Sequence, residues 1–205
     1  MEKTIHSGLK PHFILASKSK ARQAILRQAG LEFEIEAANL DEAIIKKHHA
    51  HLSPDLLALK LAEEKAKKIS LAHENAIIIG ADQILEFENQ LWSKPKDLKA
   101  LRAQLWKFRG KTHRLVSAVA CYKNGVLEGN FIASAHLTMR EFSSDFLDDY
   151  VKKYGDEACQ SVGGYQIEGA GIGLFSHIAG DNFTIMGLPI IKLLALMRHK
   201  NWIEG

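Results

Sequence analysis

Two long β-rich runs joined by Asn124-Gly125 constrain the fold of this chain more than any other feature. The runs cover residues 112–122 and 126–139, and an Asn-Gly pair between such runs is the strongest short-range indication of a β-hairpin. Earlier in the chain, short apolar runs alternate with helical patterns. Strands thus alternate with helices in the first part of the chain and follow one another as a meander later. This order predicts one mixed sheet flanked by helices.

The other predicted elements come from apolar runs and from residues typical of helix ends. Strands are expected at residues 12–16, 33–36, 77–79 and 174–178, with shorter apolar runs at 84–87 and 90–92 around a turn. The strand at 77–79 is expected to stop at residues 80–82. Helices are expected to begin at Ser17 or Ser19, at Ser53-Pro54-Asp55, at Asp97, at Ser143 or Ser144 and at Pro189. The expected ends include Gly30, about residue 71, Gly155 and about residue 199.

The composition is that of a globular protein, which we expect to form one domain over residues 1–205. Hydrophobic residues make up 46% of the chain, which is enough for a core and excludes a disordered protein. The net charge of +3 is too small to indicate a nucleic-acid or membrane-surface partner. The two cysteines are too far apart in sequence for a redox or metal pair, and the chain has no run of about 18 apolar residues that could span a membrane. Residues 1–10 show no signal-peptide pattern. We therefore expect a cytoplasmic protein.

The segment after the first strand carries hydroxyls and cations in one helical turn. Ser17 and Ser19 lie there with Lys18, Lys20 and Arg22. A helix N-terminus presents unpaired N–H groups and a positive dipole end, so this turn could hold a phosphate. Taken alone, the segment fits a plain N-cap with solvated lysines better.

Four further residues are candidates for chemistry, although each is weak alone. Asp82 follows a buried strand, where a carboxylate could hold Mg²⁺ or deprotonate water, or could simply begin a turn. Glu42, beside Asp41, is expected in a solvated loop. Lys65 fits an exposed helix face with intrahelical ion pairs, and Lys94 precedes a proline that restricts the chain beside it.

Taken together, these segments resemble the Maf family of nucleoside triphosphate pyrophosphatases. No single motif is decisive, but their order and spacing are specific, and the match runs from about residue 13 to residue 197. The matching stretches are LASKSKARQAIL, Asp41-Glu42, LALKLAEEKAKKI, IIIGADQIL, Lys94-Pro95, FRGKTHRLVSAVA, SVGGYQIEGAGIGLF and GDNFTIMGLPI.

The resemblance implies a Maf/ITPase-like α/β domain: an elongated, twisted mixed sheet flanked by helices, with a deep cleft between two lobes. It implies a hydrolase acting on acid anhydrides, which cleaves the α–β phosphate bond of a nucleoside triphosphate to give the monophosphate and diphosphate. The implied cofactor is a divalent cation, Mg²⁺ or Mn²⁺. The implied partners are the nucleotide substrate and a second copy of the chain in a homodimer.

The resemblance also assigns roles to residues. Asp82 matches the catalytic aspartate, a proton acceptor, and Glu42 and Asp82 would hold the metal. The substrate's phosphates would be bound by Ser17, Ser19, Arg22, Lys65 and Lys94. The physical logic agrees, because a triphosphate carries about four negative charges that cations must neutralise during attack on the α-phosphorus.

Three positions associated in the family with the choice of dTTP and UTP differ here. Ala21 stands where the family has an arginine, and whether Lys20 replaces that arginine stays open. Gln83 and Glu168 stand where pyrimidine-preferring members have Thr and Gln, and both resemble the subgroup acting on 7-methyl-GTP. A carboxylate such as that of Glu168 accepts hydrogen bonds from guanine N1–H and N2–H₂ and repels the carbonyl edge of a pyrimidine.

We therefore expect an enzyme with a house-cleaning role, which keeps modified nucleotides resembling 7-methyl-GTP out of nucleic acids. One alternative is a dTTP- and UTP-type pyrophosphatase. Another is a nucleotide-binding regulator of septum formation and cell division, since family members have been linked to that process. The presence of Asp82, Glu42 and the lysines favours the enzyme, because a pure binder needs no positioned base.

Overall fold

The computed structural model describes residues 11–204 and contains a seven-stranded mixed sheet. Residues 1–10, where we expect no signal peptide, and Gly205 lie outside the described part. The spatial order is β2-β1-β3-β5-β6-β7, and β4 pairs with β3. Pairing is parallel among β2, β1 and β3 and antiparallel elsewhere, so the predicted mixed sheet is confirmed. The strands are β1 (Phe13–Leu15), β2 (Glu34–Ile35), β3 (Ile77–Phe87), β4 (Gln90–Trp92), β5 (Thr112–Lys123), β6 (Val126–Met139) and β7 (Phe175–Ala179).

Helices flank both faces of this sheet. Within residues 11–204, no helix has the length and apolar character needed to cross a membrane. The helices are α1 (Lys20–Gln28), α2 (Glu42–His48), α3 (Pro54–Ser70), α4 (Leu98–Phe108), α5 (Ser144–Ala158), α6 (Asn182–Ile185) and α7 (Ile190–His199), and a 3₁₀ turn covers Ala170–Leu174.

The alternation of side chains along β3 separates the layers of the core. On one face, Ile78 and Ile84 pack with the buried side of α3, including Leu61. On the other face, Ile77 and Ile79 pack with α1 and α7. A third cluster joins α4 and α5 to the far ends of β3, β5 and β6. Because successive side chains of a strand point to opposite faces, neighbouring residues of β3 project toward different helical layers.

The predicted hairpin is confirmed. β5 and β6 pair from Thr112 to Lys123, and the turn between them has φ of 50° at Asn124 and 77° at Gly125. Positive φ at both central residues matches the right-handed twist of the strands, and Asn and Gly adopt it at low cost.

The expected end of β3 at residues 80–82 is wrong. The strand continues to Phe87, because Ile78–Glu86 pair without interruption with β5. Gly80 serves close packing instead: a Cβ there would lie 2.1 Å from the carbonyl oxygen of Ala62 in α3. On the other side of β3, pairing with β1 ends at Ile79 and pairing with β4 begins at Leu85. Residues 80–84 therefore form a segment of β3 with no strand on that side.

Three other boundaries differ from expectation. The predicted loop at Asp41-Glu42 starts helix α2, which Asp41 caps by accepting hydrogen bonds from the N–H groups of Ala43 and Ile44. Helix α5 passes Gly155, because that glycine packs against α4 and a side chain there would strike Leu98. Helix α6, which has only four residues, is absent from the sequence prediction.

Candidate active site

Asp82 lies at the centre of the candidate site, in the segment of β3 that has no neighbouring strand on one side. It pairs with Ala118 of β5 and is only 5% exposed. The sequence argument placed Asp82 after the end of its own strand, whereas the strand that ends here is β1, followed by Ser17 and α1. Ligand sites of α/β sheets lie at the carboxyl ends of strands, so the expectation is met by β1 rather than by β3.

Lys65 joins the two predicted acids. Its Nζ lies 2.6 Å from Oδ1 of Asp82 and 2.7 Å from Oε1 of Glu42. Its position on α3, at the level of Asp82, turns it into the site rather than onto the exposed face that its charged neighbours suggested. The three residues form the carboxylate–lysine cluster (Glu42, Lys65 and Asp82). Oδ2 of Asp82 is buried and has no hydrogen-bond partner among the described residues.

The electrostatics of Glu42 follow from this cluster. Burial alone would raise the pKa of its carboxyl, but the attraction and hydrogen bond of the Lys65 ammonium outweigh burial and leave the pKa lowered. Lys46 and Arg22 add smaller contributions in the same direction. Glu42 is therefore ionised in the folded protein at neutral pH.

Arg22 comes from α1 and is held by three neutral oxygens. Its Nε donates to the carbonyl of Gly187 at 2.9 Å, and its Nη1 donates to the carbonyl of Ala81 at 2.9 Å and to Oγ of Ser17 at 3.2 Å. Burial lowers the pKa of the guanidinium, and the charges of Asp82 and Glu42 partly offset that effect. Its Nη2 makes no hydrogen bond within the described part of the chain, so this donor is free to bind an anion.

The predicted hydroxyls organise this turn. Ser19 is the N-cap of α1 and accepts from the backbone N–H of Arg22 at 3.4 Å, as one of the two expected caps. Oγ of Ser17 accepts from the backbone N–H of Ser19 at 3.2 Å as well as from Arg22. Ala21 lies beside them in the first turn of α1, and Lys20 is exposed.

Lys94 lies at the rim of the cluster, in the loop after β4. The residue is exposed as a whole, yet enough protein surrounds its ammonium end for burial to lower its pKa. The positive charges of Arg22 and Lys65 lower it further, while Glu42 and Asp82 act in the opposite direction. An open groove of about 460 Å³ continues from Lys94 and is lined by Trp92, Lys96 and Lys107 among others.

The other two predicted specificity residues, Gln83 and Glu168, lie outside the carboxylate–lysine cluster. Gln83 projects to the face of β3 opposite Asp82, and its Nε2 donates to Ser117, Thr184 and Ile185. Glu168 is exposed in the loop before the 3₁₀ turn, and it makes no ion pair or hydrogen bond with another described residue.

Three groups that contact this site were not predicted from the sequence: the carbonyl of Gly187 and the buried side chains of Ser117 and Thr184. The GDNFTIMGLPI stretch was the available signal, because Asp181 three residues before Thr184 is an N-cap pattern.

The donor set fits a divalent cation that shares its ligands with a substrate. Within residues 11–204, no group of three His, Cys, Asp or Glu side chains could hold a metal alone. Mg²⁺, however, is commonly bound by one or two carboxylates together with water and substrate phosphates. Glu42 and Asp82 supply two carboxylates, and the unpartnered buried Oδ2 of Asp82 is an oxygen that such a cation would satisfy.

Comparison with known proteins identifies the family of this chain. The family model described as Maf-like protein matches residues 12–200. A 7-methyl-GTP pyrophosphatase of Brucella suis is 43% identical, over 94% of this chain and 98% of that protein. A nucleoside triphosphate pyrophosphatase of Paramagnetospirillum magneticum is 44% identical, over 91% of this chain and 97% of that protein.

Similarity to solved structures is looser. A HAM1 protein from Coxiella burnetii is 12% identical with a TM-score of 0.36, over 63% of this chain and 73% of that one. A dITP/XTP pyrophosphatase from Mycobacterium abscessus is 12% identical with a TM-score of 0.40, over 93% and 95% of the two chains. The family match and the two sequence relatives each span nine-tenths or more of the chain. The chain therefore belongs to the Maf-like family.

Proposed function

We propose that this protein is a nucleoside triphosphate pyrophosphatase, which hydrolyses the α–β phosphate bond and acts on modified nucleotides resembling 7-methyl-GTP. The names of its relatives in Brucella suis and Paramagnetospirillum magneticum support this class of activity. The observation that carries the proposal is the carboxylate–lysine cluster beside Arg22. It combines a buried, unpartnered carboxylate oxygen with cations that can bind phosphates.

The cations have distinct tasks in this reaction. Arg22 offers its free Nη2 from a guanidinium that is already fixed on its other two nitrogens. Lys65 supplies a second positive charge beside Asp82, and Lys94 supplies a third from the rim. Ser17 and Ser19 hold the turn that presents Arg22. The groove that begins at Lys94 is the space that we propose for the rest of the nucleotide.

Asp82 serves as the proton acceptor. In the proposed step, the carboxylate of Asp82 accepts a proton from a water molecule as the water oxygen attacks the α-phosphorus. A bond forms between that oxygen and the phosphorus, the bond from the α-phosphorus to the bridging oxygen breaks, and diphosphate leaves with the electron pair. The products are the nucleoside monophosphate and diphosphate. A positioned general base of this kind accelerates a reaction by about 10²- to 10⁴-fold.

A divalent cation completes the charge balance of the proposed site. Glu42 and Asp82 would hold it, and when bound it would neutralise negative charge on the phosphates. Lys65 lowers the pKa of Glu42 and bridges the two carboxylates, which prepares them for such a cation.

We assign the choice of base to Glu168. It is exposed, so its carboxylate is free to accept hydrogen bonds from the N1–H and N2–H₂ groups of a guanine-type base. The carbonyl edge of uracil or thymine would face the same carboxylate with like partial charge, which disfavours pyrimidine triphosphates.

The experiment that tests this function is diphosphate release with Mg²⁺ from a panel of 7-methyl-GTP, GTP, ITP, dTTP, UTP and 5-methyl-UTP. We expect the highest kcat/KM with 7-methyl-GTP, and loss of release when EDTA removes the metal. Activity on dTTP and UTP alone would overturn the assigned substrate. Inactivity on the whole panel, with folded protein and added Mn²⁺ or Mg²⁺, would overturn the enzymatic proposal and favour a nucleotide-binding regulator.

A further inference from the structure

The segment of residues 181–187, here called the α6 segment, reaches Arg22 from outside the strands and helices that carry the acids. Asp181 caps helix α6 by accepting from the backbone N–H of Thr184 at 2.9 Å and from the hydroxyl of the same residue. The backbone N–H of Gly187 donates to the carbonyl of Thr184 at 3.1 Å. The carbonyl of Gly187 then accepts from Nε of Arg22 at 2.9 Å. The segment is therefore one continuous set of hydrogen bonds that ends on the guanidinium.

Two side chains of the sheet hold the α6 segment in place. Oγ of Ser117 donates to the carbonyl of Thr184 at 2.8 Å. Nε2 of Gln83 shares its two hydrogens among the carbonyls of Thr184, at 3.1 Å, and Ile185, at 2.9 Å, and Oγ of Ser117, at 3.0 Å. Gln83 and Ser117 face each other in the register of β3 and β5, so both project to the same side. Ser117 and Thr184 are fully buried, which excludes water as a replacement partner.

These contacts matter because, among residues 11–204, no carboxylate contacts Arg22 directly. In that part of the chain its guanidinium is fixed by neutral oxygens, two of them backbone carbonyls. Long-range attraction to Asp82 and Glu42 does not set an orientation to within a few tenths of an ångström, whereas hydrogen bonds do. A shift of the Gly187 carbonyl would therefore rotate the free Nη2 away from its anion.

We propose that Ser117 is a positioning residue for Arg22, acting with Gln83 through the α6 segment. In this arrangement the amide of Gln83 is engaged by the protein rather than by the base, so its influence on the substrate passes through the phosphate-binding arginine. The identity of the bound anion rests on the proposed function, but the positioning itself does not.

The direct test is nuclear magnetic resonance of the Arg22 Nε–H group, assigned by its loss in Arg22→Lys. In the wild-type protein, donation to Gly187 should protect this hydrogen from exchange with water. We expect Ser117→Ala to speed its exchange about tenfold or more, as for a loosened hydrogen bond. Gln83→Met, which keeps the length of the side chain without its donors, should act in the same direction. The two variants change different side chains, so if one of them does not fold, the other still tests the proposal.

The matched control is Ser70→Ala. Ser70 is also a buried serine, whose hydroxyl donates to Lys67 and accepts from the backbone N–H of Gly125 at the far end of α3. Ser70→Ala should lower the free energy of unfolding, because a buried hydroxyl and its hydrogen bonds are lost. It should not change the exchange rate of the Arg22 Nε hydrogen. Unchanged exchange in folded Ser117→Ala and Gln83→Met proteins would overturn the proposal, as would an equal effect of Ser70→Ala.

A double-mutant cycle on diphosphate release gives the second test. We expect Ser117→Ala to lower kcat/KM about tenfold, because small misplacements of a binding group are costly. In an Arg22→Lys background it should have no further effect, whereas in a Lys94→Met background it should keep its full effect. Independent effects in the Arg22→Lys background would contradict the proposal. If no nucleotide is hydrolysed, the proposed function fails while the exchange measurement still decides this inference.

Discussion

The ammonium of Lys65 lies 2.6 Å from one oxygen of Asp82, while the other oxygen of the same carboxylate is buried and has no hydrogen-bond partner in the described part of the chain. An unpaired buried oxygen of this kind costs about 1–3 kcal/mol, more for a charged group. Lys65 balances the negative charge of Asp82 from the side of Oδ1. Under the proposed function, this cost in stability leaves an oxygen of Asp82 available to accept a proton.

Replacement of Asp82 by Asn should abolish the base while leaving the strand intact. We expect kcat to fall by about 10²- to 10⁴-fold, the usual contribution of a general base. Glu86→Gln is the matched control, since Glu86 is a carboxylate of the same strand and face that pairs with Arg114. Diphosphate release and circular dichroism are measured for both variants. Undiminished turnover in folded Asp82→Asn protein would refute the role of Asp82.

Replacement of Lys65 by Met should raise the pKa of Glu42, because its main stabilising charge is lost. In the wild type, the lowered pKa of Glu42 contributes stability above its unfolded value, and that contribution disappears as the pH falls through the folded value. The stability difference between wild type and variant should therefore shrink on acidification through that range. The measurements are carboxyl titration by nuclear magnetic resonance and urea unfolding at several pH values. Lys60→Met, which removes a partly exposed ion pair with Glu64 on the same helix, should leave the Glu42 titration unchanged.

Replacement of Lys94 by Arg should extend activity to higher pH. The lowered pKa means that Lys94 loses its charge at a lower pH than an ordinary lysine, and phosphate affinity should fall with it. Arginine stays charged throughout this range. The pH profile of kcat/KM for Lys94→Arg should therefore keep its alkaline limb to higher pH. Lys96→Arg in the same loop is the control, and identical profiles for all three proteins would contradict the role of Lys94.

Gly187→Ala should damage both stability and activity. Its φ of 94° disfavours a side chain, and a Cβ there would lie 3.3 Å from Nε of Arg22. We expect a loss of about 1–2 kcal/mol from the backbone conformation, together with a higher KM. Gly30→Ala is the control, since Gly30 has a φ of 74° and nothing within 4 Å of the added Cβ. It should lower the free energy of unfolding without changing KM, and a similar KM effect in both variants would contradict the contact with Arg22.

Glu168→Gln should shift the choice of base toward pyrimidines. The amide removes the negative charge that repels the pyrimidine carbonyl edge and adds a donor to it. We expect the ratio of kcat/KM for 7-methyl-GTP to that for UTP to fall by about 10-fold or more, roughly 1.4 kcal/mol. Glu74→Gln, an exposed glutamate in the turn before β3, is the control. An unchanged ratio would remove Glu168 from the recognition of the base.

Sequence reasoning succeeded where local chemistry decides the structure. Ser19 caps α1, Pro54 opens α3, and Asn124-Gly125 turns the long hairpin, each for a reason confined to a few neighbouring residues. It failed at Gly80, because a glycine in a strand marks either an end or a close approach, and only the position of α3 decides between them.

The candidate site shows the same division. The charged residues could be named from motifs, and the structure brings Arg22, Glu42, Lys65, Asp82 and Lys94 close enough for their charges to interact. The backbone carbonyls of Gly187 and Ala81 orient Arg22, although both lie far from it in the sequence. Since every residue has a backbone carbonyl, these contacts cannot be recognised from residue types. Helix α6 was missed because four residues carry no helical period.

The course of β3 through the site has a consequence for local unfolding. Asp82 lies in the interior of a long strand that pairs with β5 without interruption, so its amide hydrogen should exchange only when the whole domain opens. Glu42 and Lys94 sit on a short helix and a loop at the periphery, which can open alone. The proposed base would thus be the most persistent part of the site, while Glu42 and Lys94 could move apart to admit and release a nucleotide without disturbing the core.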